Sequence, residues 1–317
     1  MRVLITRLLP DAVIAAARAR FDVTLRELGR PMSAEEAAAA LRDYDAVLPT
    51  LGDAFGTSAF DAVDAPRCRL LANFGVGYNH IDAAAAKAKG IAVTNTPGAV
   101  TDATADIAMM LILMSARRAS EGERLVRAGQ WTGWHPVQML GQHVTGKTLA
   151  IIGMGRIGKA IARRAHFGFG MRIVFFNRSP VADAGMPAVQ AATVAEAMAA
   201  GDFVVTAVPG GPATRHIIGA GALAAMQPHA HLVNIARGDV VDEAALIAAL
   251  TERRIAGAGL DVYEREPVVP EALKALNNVT LLPHLGTATS EVRTAMGMMA
   301  VENLLAFAEG RALINPV

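Results

Sequence analysis

A single cysteine, Cys68, stands in a chain of 317 residues, which excludes an intramolecular disulfide and a thiolate zinc cluster. With no stability to gain from an oxidising compartment, the cytoplasm is the expected location. Cys68 lies between Arg67 and Arg69, but no base stands near it in sequence, so packing is its expected role. Charge of one sign is also missing. Thirty Lys and Arg against 29 Asp and Glu leave +1, too little for a broad nucleic-acid or anionic-membrane footprint. Long apolar runs are absent: Val3-Leu4-Ile5 is soon interrupted by Arg7 and Asp11. The most apolar stretch, Ile107 to Met114, falls far short of the roughly 20 residues that cross a bilayer. His80, His216, His229 and His231 lack the paired spacing of a metalloprotease, and no glycine-flanked serine occupies a strand-to-helix elbow, so neither a metal nor a serine nucleophile is expected. No solenoid-period repeat occurs.

What is present is alternation. A chain of this length favours two cores. Strands are expected at Arg2 to Thr6, Phe21 to Leu25, Ala46 to Pro49, Leu70 to Asn73 and Ile91 to Asn95. Helices fall between them, at Asp11 to Arg20, after a capping box at Ser33 to Glu36, and at Ala83 to Lys89. Thr101 to Arg118 reads as one long helix, apolar nearly all round. Gly129 to Gly146 breaks the pattern with Gly, Pro, Trp and His, as functional or interfacial loops do. A second series begins with a strand at Thr148 to Ile152. It continues near Arg172 to Phe176, Phe203 to Ala207, His231 to Asn234, Gly257 to Leu260 and Val279 to Leu282, giving six strands of a doubly wound α/β sheet. Thr287 to Gly310 is helical.

Gly153-Met154-Gly155-Arg156-Ile157-Gly158 follows an apolar strand and opens a helix at Lys159 to Ala165, the setting that makes a glycine pattern a dinucleotide fingerprint. NAD-selective sites place an acidic residue at the end of the next strand. Here that strand ends in Asn177-Arg178-Ser179, which offers neutral and cationic donors to a 2′-phosphate, so NADP(H) is favoured and NAD(H) possible. Three polar residues follow late strands, where open parallel sheets bind ligands: Arg237, Glu266 before Pro267, and His284 after Pro283.

Through these segments the sequence resembles the D-isomer-specific 2-hydroxyacid dehydrogenases over essentially its whole length. Asn73 to Asp82 is similar to the family's substrate loop, Val100 to Asp106 to its interdomain helix start, and the segments around Arg237, Glu266 and His284 to its three catalytic signatures. The Trp131 to Pro136 arm, with the Asn177-Arg178-Ser179 turn, is most similar to glyoxylate and hydroxypyruvate reductases. The resemblance implies two Rossmann-like domains with a cleft between them. One is a flavodoxin-like substrate domain of residues 1–98 and 287–317, the other a dinucleotide-binding domain of 99–286. It implies that His284 gives a proton to a 2-oxo acid while nicotinamide delivers hydride. Glu266 would keep the imidazole protonated above the free value of about 6.5. Arg237 would bind the substrate carboxylate with the Val76 and Gly77 amides, and Leu51, Gly52 and Trp134 would shape the pocket. Thr104, Val208, Pro209, Thr214, Ala236, Asp261 and Gly286 would line the cofactor groove beside Arg237 and His284. A homodimer through the cofactor domains is implied, with Trp134 reaching the neighbouring site. A D-lactate-type or phosphoglycerate-type dehydrogenase and a dinucleotide-sensing corepressor of the same fold stay open.

Overall fold

The computed structural model describes residues 1–317, which separate into two compact units: Met1–Val100 with Thr287–Val317, and Thr101–Gly286. In the first unit, strands β1 (Arg2–Ile5), β2 (Asp22–Leu25), β3 (Ala46–Leu48), β4 (Leu70–Ala72) and β5 (Ala92–Thr94) form a wholly parallel sheet in the order β2-β1-β3-β4-β5. That is the flavodoxin-like order. The central strands are buried along their length, which is why they read as short runs of Val, Leu and Ala rather than alternating. Helix Ala34–Asp43 starts on the expected capping box: the Glu36 amide donates to Ser33 Oγ, and the Ser33 amide to Glu36 Oε2. The C-terminal helix Ser290–Ala308 packs on Asp11–Arg18 so closely that a methyl group at Gly297 would come within 2.5 Å of Val13.

The second unit holds β6 (Thr148–Ile152), β7 (Arg172–Phe176), β8 (Ala188–Gln190), β9 (Phe203–Thr206), β10 (His231–Asn234), β11 (Gly257–Leu260) and β12 (Val279–Leu281). Their order, β12-β11-β10-β9-β6-β7-β8, is wholly parallel and reverses direction between β6 and β9. Two apolar clusters cover the sheet's faces, one built on Leu111, Ile112, Leu149, Ile151 and Phe203, the other on Ile152, Val204, Leu232, Leu250 and Leu260. Each large apolar side chain so buried contributes about 1.5–3 kcal/mol of transfer free energy.

Three elements differ from expectation. Strand β8 makes the sheet seven-stranded; its three residues lie on an exposed edge and carry no apolar alternation. A short helix at Thr57–Asp61 also has too few residues for a periodic signal. The long helix ends at Ala116, because Arg118 takes a left-handed conformation (φ 54°) and a second helix, Ala119–Arg127, begins there. The returning arm takes the freed end: the Gln142 amide donates to Ala116 O at 2.8 Å, and Gly141 lies where a Cβ would be 2.3 Å from that oxygen. No helix is long and apolar enough to cross a membrane.

Candidate active site

The glycine loop sits at the reversal of the second sheet, the place where open α/β sheets form a crevice beyond their strand ends. Gly153 has φ +106°, and a Cβ there would lie 2.8 Å from the Ala207 backbone and 2.9 Å from Val208 Cγ1. A Cβ on Gly158 would lie 2.1 Å from Gly153 O, so that glycine lets the helix press against the loop. At Gly155 nothing comes within 4 Å of the missing side chain. Gly155 is the N-cap of helix Arg156–Phe169 and supplies no side-chain cap, so the amides of the first turn face open space. Two glycines are demanded by packing and the third keeps a surface clear. A clear surface at an uncapped helix start fits a pyrophosphate.

The turn after β7 is tied to this loop. Asn177 Oδ1 accepts from the Met154 amide at 3.3 Å, and its Nδ2 donates to Ser179 O at 2.9 Å. Arg178 and Ser179 are exposed, and Arg178 forms no ion pair. On the other side of the loop, Ala207 and Val208 meet Gly153, while Thr214 Oγ1 donates to Pro209 O at 2.6 Å and so folds its own segment. The Thr214 side chain therefore acts first on the loop.

Beyond β10, Asn234 organises the turn that presents Arg237. Its Oδ1 accepts from Thr206 Oγ1 (2.5 Å) and the Ala236 amide (3.0 Å), and its Nδ2 donates to Arg237 O (2.9 Å). Arg237 Nη1 donates to Ala236 O at 2.7 Å, and a Cβ on Gly210 would stand 2.6 Å from Arg237 Cγ. Burial lowers the guanidinium's hold on its proton, and the Glu266 and Asp239 carboxylates oppose that; an arginine keeps its charge regardless. Gly238 is needed because any side chain would strike the Tyr263 backbone at 1.8 Å.

Beyond β11 and β12, Glu266 and His284 meet. Glu266 Oε2 bonds His284 Nδ1 at 2.8 Å, and Oε1 accepts from the Tyr263 amide at 3.1 Å. Burial raises the Glu266 carboxyl, but His284, the Tyr263 amide and Arg237 together hold it below the usual carboxylate range. His284 adopts a left-handed backbone (φ 55°), uncommon for a side chain of its size. Asp261 fixes that bend. Its carbonyl accepts from the His284 amide at 3.0 Å, Oδ1 from Leu285 at 2.6 Å and Oδ2 from Gly286 at 2.8 Å. Burial pushes the Asp261 carboxyl up, against these amide bonds and the nearby imidazole. Thr104 Oγ1 completes the group by donating to Gly286 O at 3.3 Å. With Nδ1 committed to Glu266, His284 Nε2 is the nitrogen left for a ligand.

The first unit has its own prepared loop. Asn73 Nδ2 donates to Gly75 O and Gly77 O at 3.0 and 3.1 Å, and Asn95 Nδ2 to Val76 O at 2.9 Å. The carbonyls are turned inward and held, while the Val76 and Gly77 amides donate to nothing within the chain. Two adjacent free amides suit a carboxylate. Leu51 and Gly52 lie on a loop fixed by Arg7, whose Nη2 donates to Leu51 O at 2.7 Å, and by the buried Asp53, which takes the Thr50 amide at 2.8 Å. Trp134 stands apart in the arm of the second unit, 79% exposed.

The family model for the NAD-binding domain of D-isomer specific 2-hydroxyacid dehydrogenases matches residues 109–286. The chain belongs to this family. A glyoxylate reductase of Thermococcus gammatolerans is 45% identical over 315 residues, covering 98% of this chain and 93% of the relative. One from Korarchaeum cryptofilum is 43% identical, with 100% and 95% covered. Among solved structures, an NADPH-dependent glyoxylate/hydroxypyruvate reductase from Sinorhizobium meliloti, in complex with NADP and malonate, superposes with a TM-score of 0.88 at 36% identity, covering 100% of this chain and 96% of that one. This 2-hydroxyacid dehydrogenase is an NAD(P)-dependent oxidoreductase of small 2-oxo acids. Sequence reasoning overlooked Asn234 and Tyr263, whose hydroxyl also donates to Leu282 O at 2.8 Å and so joins the loops after β11 and β12. Both lie inside segments already singled out; only their polar type beside Arg237 and Glu266 hinted at them.

Proposed function

We propose that this dehydrogenase reduces glyoxylate to glycolate and hydroxypyruvate to its D-2-hydroxy acid, with NADPH as reductant. The observation that carries the reading is the contact between His284 Nδ1 and Glu266, which leaves Nε2 open, with Arg237 near enough to act on the same carboxylate. Glu266 stays ionised through the neutral range, so it favours the imidazolium, and that cation gives its Nε2 proton to the carbonyl oxygen. Arg237 binds the substrate carboxylate through its planar fork and draws electron density from the adjacent carbonyl. The Val76 and Gly77 amides take the same carboxylate, and Leu51, Gly52 and Trp134 limit the size of the group that the carbonyl carbon carries on its other side. When bound, the nicotinamide supplies the hydride that this carbon accepts. Gly153, Gly155 and Gly158 would hold the pyrophosphate at the helix start, with Arg156 and Ile157 in its first turn. Arg178 and Ser179 would hold the 2′-phosphate. Thr104, Val208, Pro209, Ala236, Asp261 and Gly286 would line the path to the nicotinamide.

The test is a panel of NADPH and NADH oxidation against glyoxylate, hydroxypyruvate, pyruvate and a bulkier 2-oxo acid. The highest kcat/KM is expected for NADPH with one of the first two; a preference for pyruvate or the bulkier acid overturns the substrate reading, and a preference for NADH the cofactor reading.

Assembly belongs to the same reading. Val126, Trp131, Trp134, Val137 and Leu140 are all more than half exposed within one short stretch, an apolar display that isolated chains rarely leave uncovered. We infer a homodimer in which Trp134 reaches the neighbouring site. Light scattering at twice the chain mass is expected, and a shift in substrate preference on Trp134→Ala. A monomer would refute both.

A further inference from the structure

Strand β8 ends in a side chain that neither the family's motifs nor the catalytic set accounts for. Gln190 is exposed on the sheet's edge, yet every polar atom of its amide is engaged. Oε1 accepts from the Val181 amide at 3.0 Å, and Nε2 donates to both Asn177 O at 3.3 Å and Ser179 O at 3.1 Å. The orientation is unambiguous, since an amide hydrogen faces the oxygen and two carbonyls face the nitrogen. Gln190 thus clasps residues 177 to 181 from outside, while Asn177 joins the same turn to the glycine loop from inside. The segment is fastened once more further on, where Lys159 Nζ donates to Asp183 O at 2.6 Å. The side chains left uncommitted between these ties are those of Arg178 and Ser179.

We propose that Gln190 is a specificity-determining positioning residue, holding the turn so that the Arg178 guanidinium and Ser179 hydroxyl are preset for a cofactor's 2′-phosphate. The proposal rests on the NADPH reading above. Its physical basis is preorganisation. A two-residue phosphate grip on an exposed loop must order its own backbone on binding unless something orders it beforehand. A neutral amide does this without placing a carboxylate near the phosphate or competing for it with a second cation. NADH, whose ribose presents only hydroxyls there, gains much less from a fixed turn.

Binding is measured by calorimetry with NADPH, NADH, 2′,5′-ADP and 5′-AMP, on the wild-type chain and on Gln190→Ala and Gln190→Glu. Loss of the clasp in Gln190→Ala is expected to weaken the two 2′-phosphorylated ligands about tenfold, and the other two by less than about twofold, the size of one or two net hydrogen bonds. Gln190→Glu keeps the acceptor for Val181 but sets a carboxylate against two carbonyl oxygens beside the phosphate. Its loss for NADPH should therefore exceed that of alanine. An unchanged KM for the 2-oxo acid and an unchanged melting midpoint separate this role from a general effect on folding. If wild type binds NADH as tightly as NADPH, the cofactor reading fails and takes the proposal with it. If wild type discriminates but both variants keep its ratio, or lose both dinucleotides in parallel, the proposal alone is overturned.

Discussion

The seven-stranded sheet carries histidine–carboxylate pairs at both ends, and beyond the carboxyl ends of its strands His216 also meets Glu264. Beyond the carboxyl ends of its strands, His284 Nδ1 meets Glu266 at 2.8 Å; before the amino ends, His229 Nε2 meets Asp202 at 2.7 Å. Bond length does not separate the two pairs, but their surroundings do. Asp202 also accepts the Thr148 amide at 2.8 Å, fastening the starts of β6 and β9; burial raises its carboxyl, and these bonds bring it below the usual range. Close by, His231 is buried, bonds Ser115 at 2.7 Å, and is driven by burial to about 4, where it stays neutral. His229 is itself more exposed than His284, and the bonds of this group fasten the starts of strands. At the carboxyl end Glu266 orients an imidazole whose second nitrogen stays open, Arg237 acts on the same carboxylate, and the glycine loop that keeps its surface clear stands on the same edge of the sheet. A histidine–carboxylate pair is common chemistry. The parallel sheet decides which edge can hold a site, because strand ends and helix starts converge on one edge only.

The comparison breaks most directly at the two histidines. His284→Asn removes the proton donor while keeping an amide for Glu266, and kcat for reduction should fall about 100-fold to 10,000-fold, the usual worth of a positioned general acid. Dinucleotide binding, measured separately, should hardly move. His229→Asn removes an imidazole with an equally short carboxylate bond, and its kcat/KM should stay within about twofold, as for other exposed ion pairs. Similar losses in the two variants would abolish the distinction between the ends of the sheet.

Legibility in the sequence divides in the same way. The parallel sheets could be read because buried strands are short apolar runs. The fingerprint could be read because two of its glycines are forced by contacts of 2.1 to 2.9 Å that no other residue survives. Arg237, Glu266 and His284 stood out as polar residues just after such runs. The bonds that hold them could not be read. Asn234 reaches back 28 positions to Thr206, Tyr263 forward 19 to Leu282, and Gln190 back to a turn 11 to 13 residues away. None of these bonds has a periodic signature. They depend on strand order, and the exposed three-residue β8 that carries Gln190 was itself invisible for want of apolar alternation. The left-handed turn at His284 was equally hidden, since it is imposed by Asp261 from the neighbouring strand's end.

The subtler difference between the ends is electrostatic, and Glu266→Gln exposes it. Glutamine has one oxygen for two donors: with that oxygen on the Tyr263 amide, an NH2 group faces His284 Nδ1, so both the charge and the acceptor for Nδ1–H are lost. Because the Glu266 carboxyl is held below its ordinary value, it is ionised at every pH where reduction is measured, and its own titration lies at the acid end. Reduction spends the cation that this anion faces, so Glu266→Gln should lower kcat for reduction about tenfold or more. Oxidation begins from the neutral imidazole and should lose less kcat. Equal losses in the two directions would leave Glu266 as an orienting contact alone, no different in kind from Asp202 at the other end of the sheet.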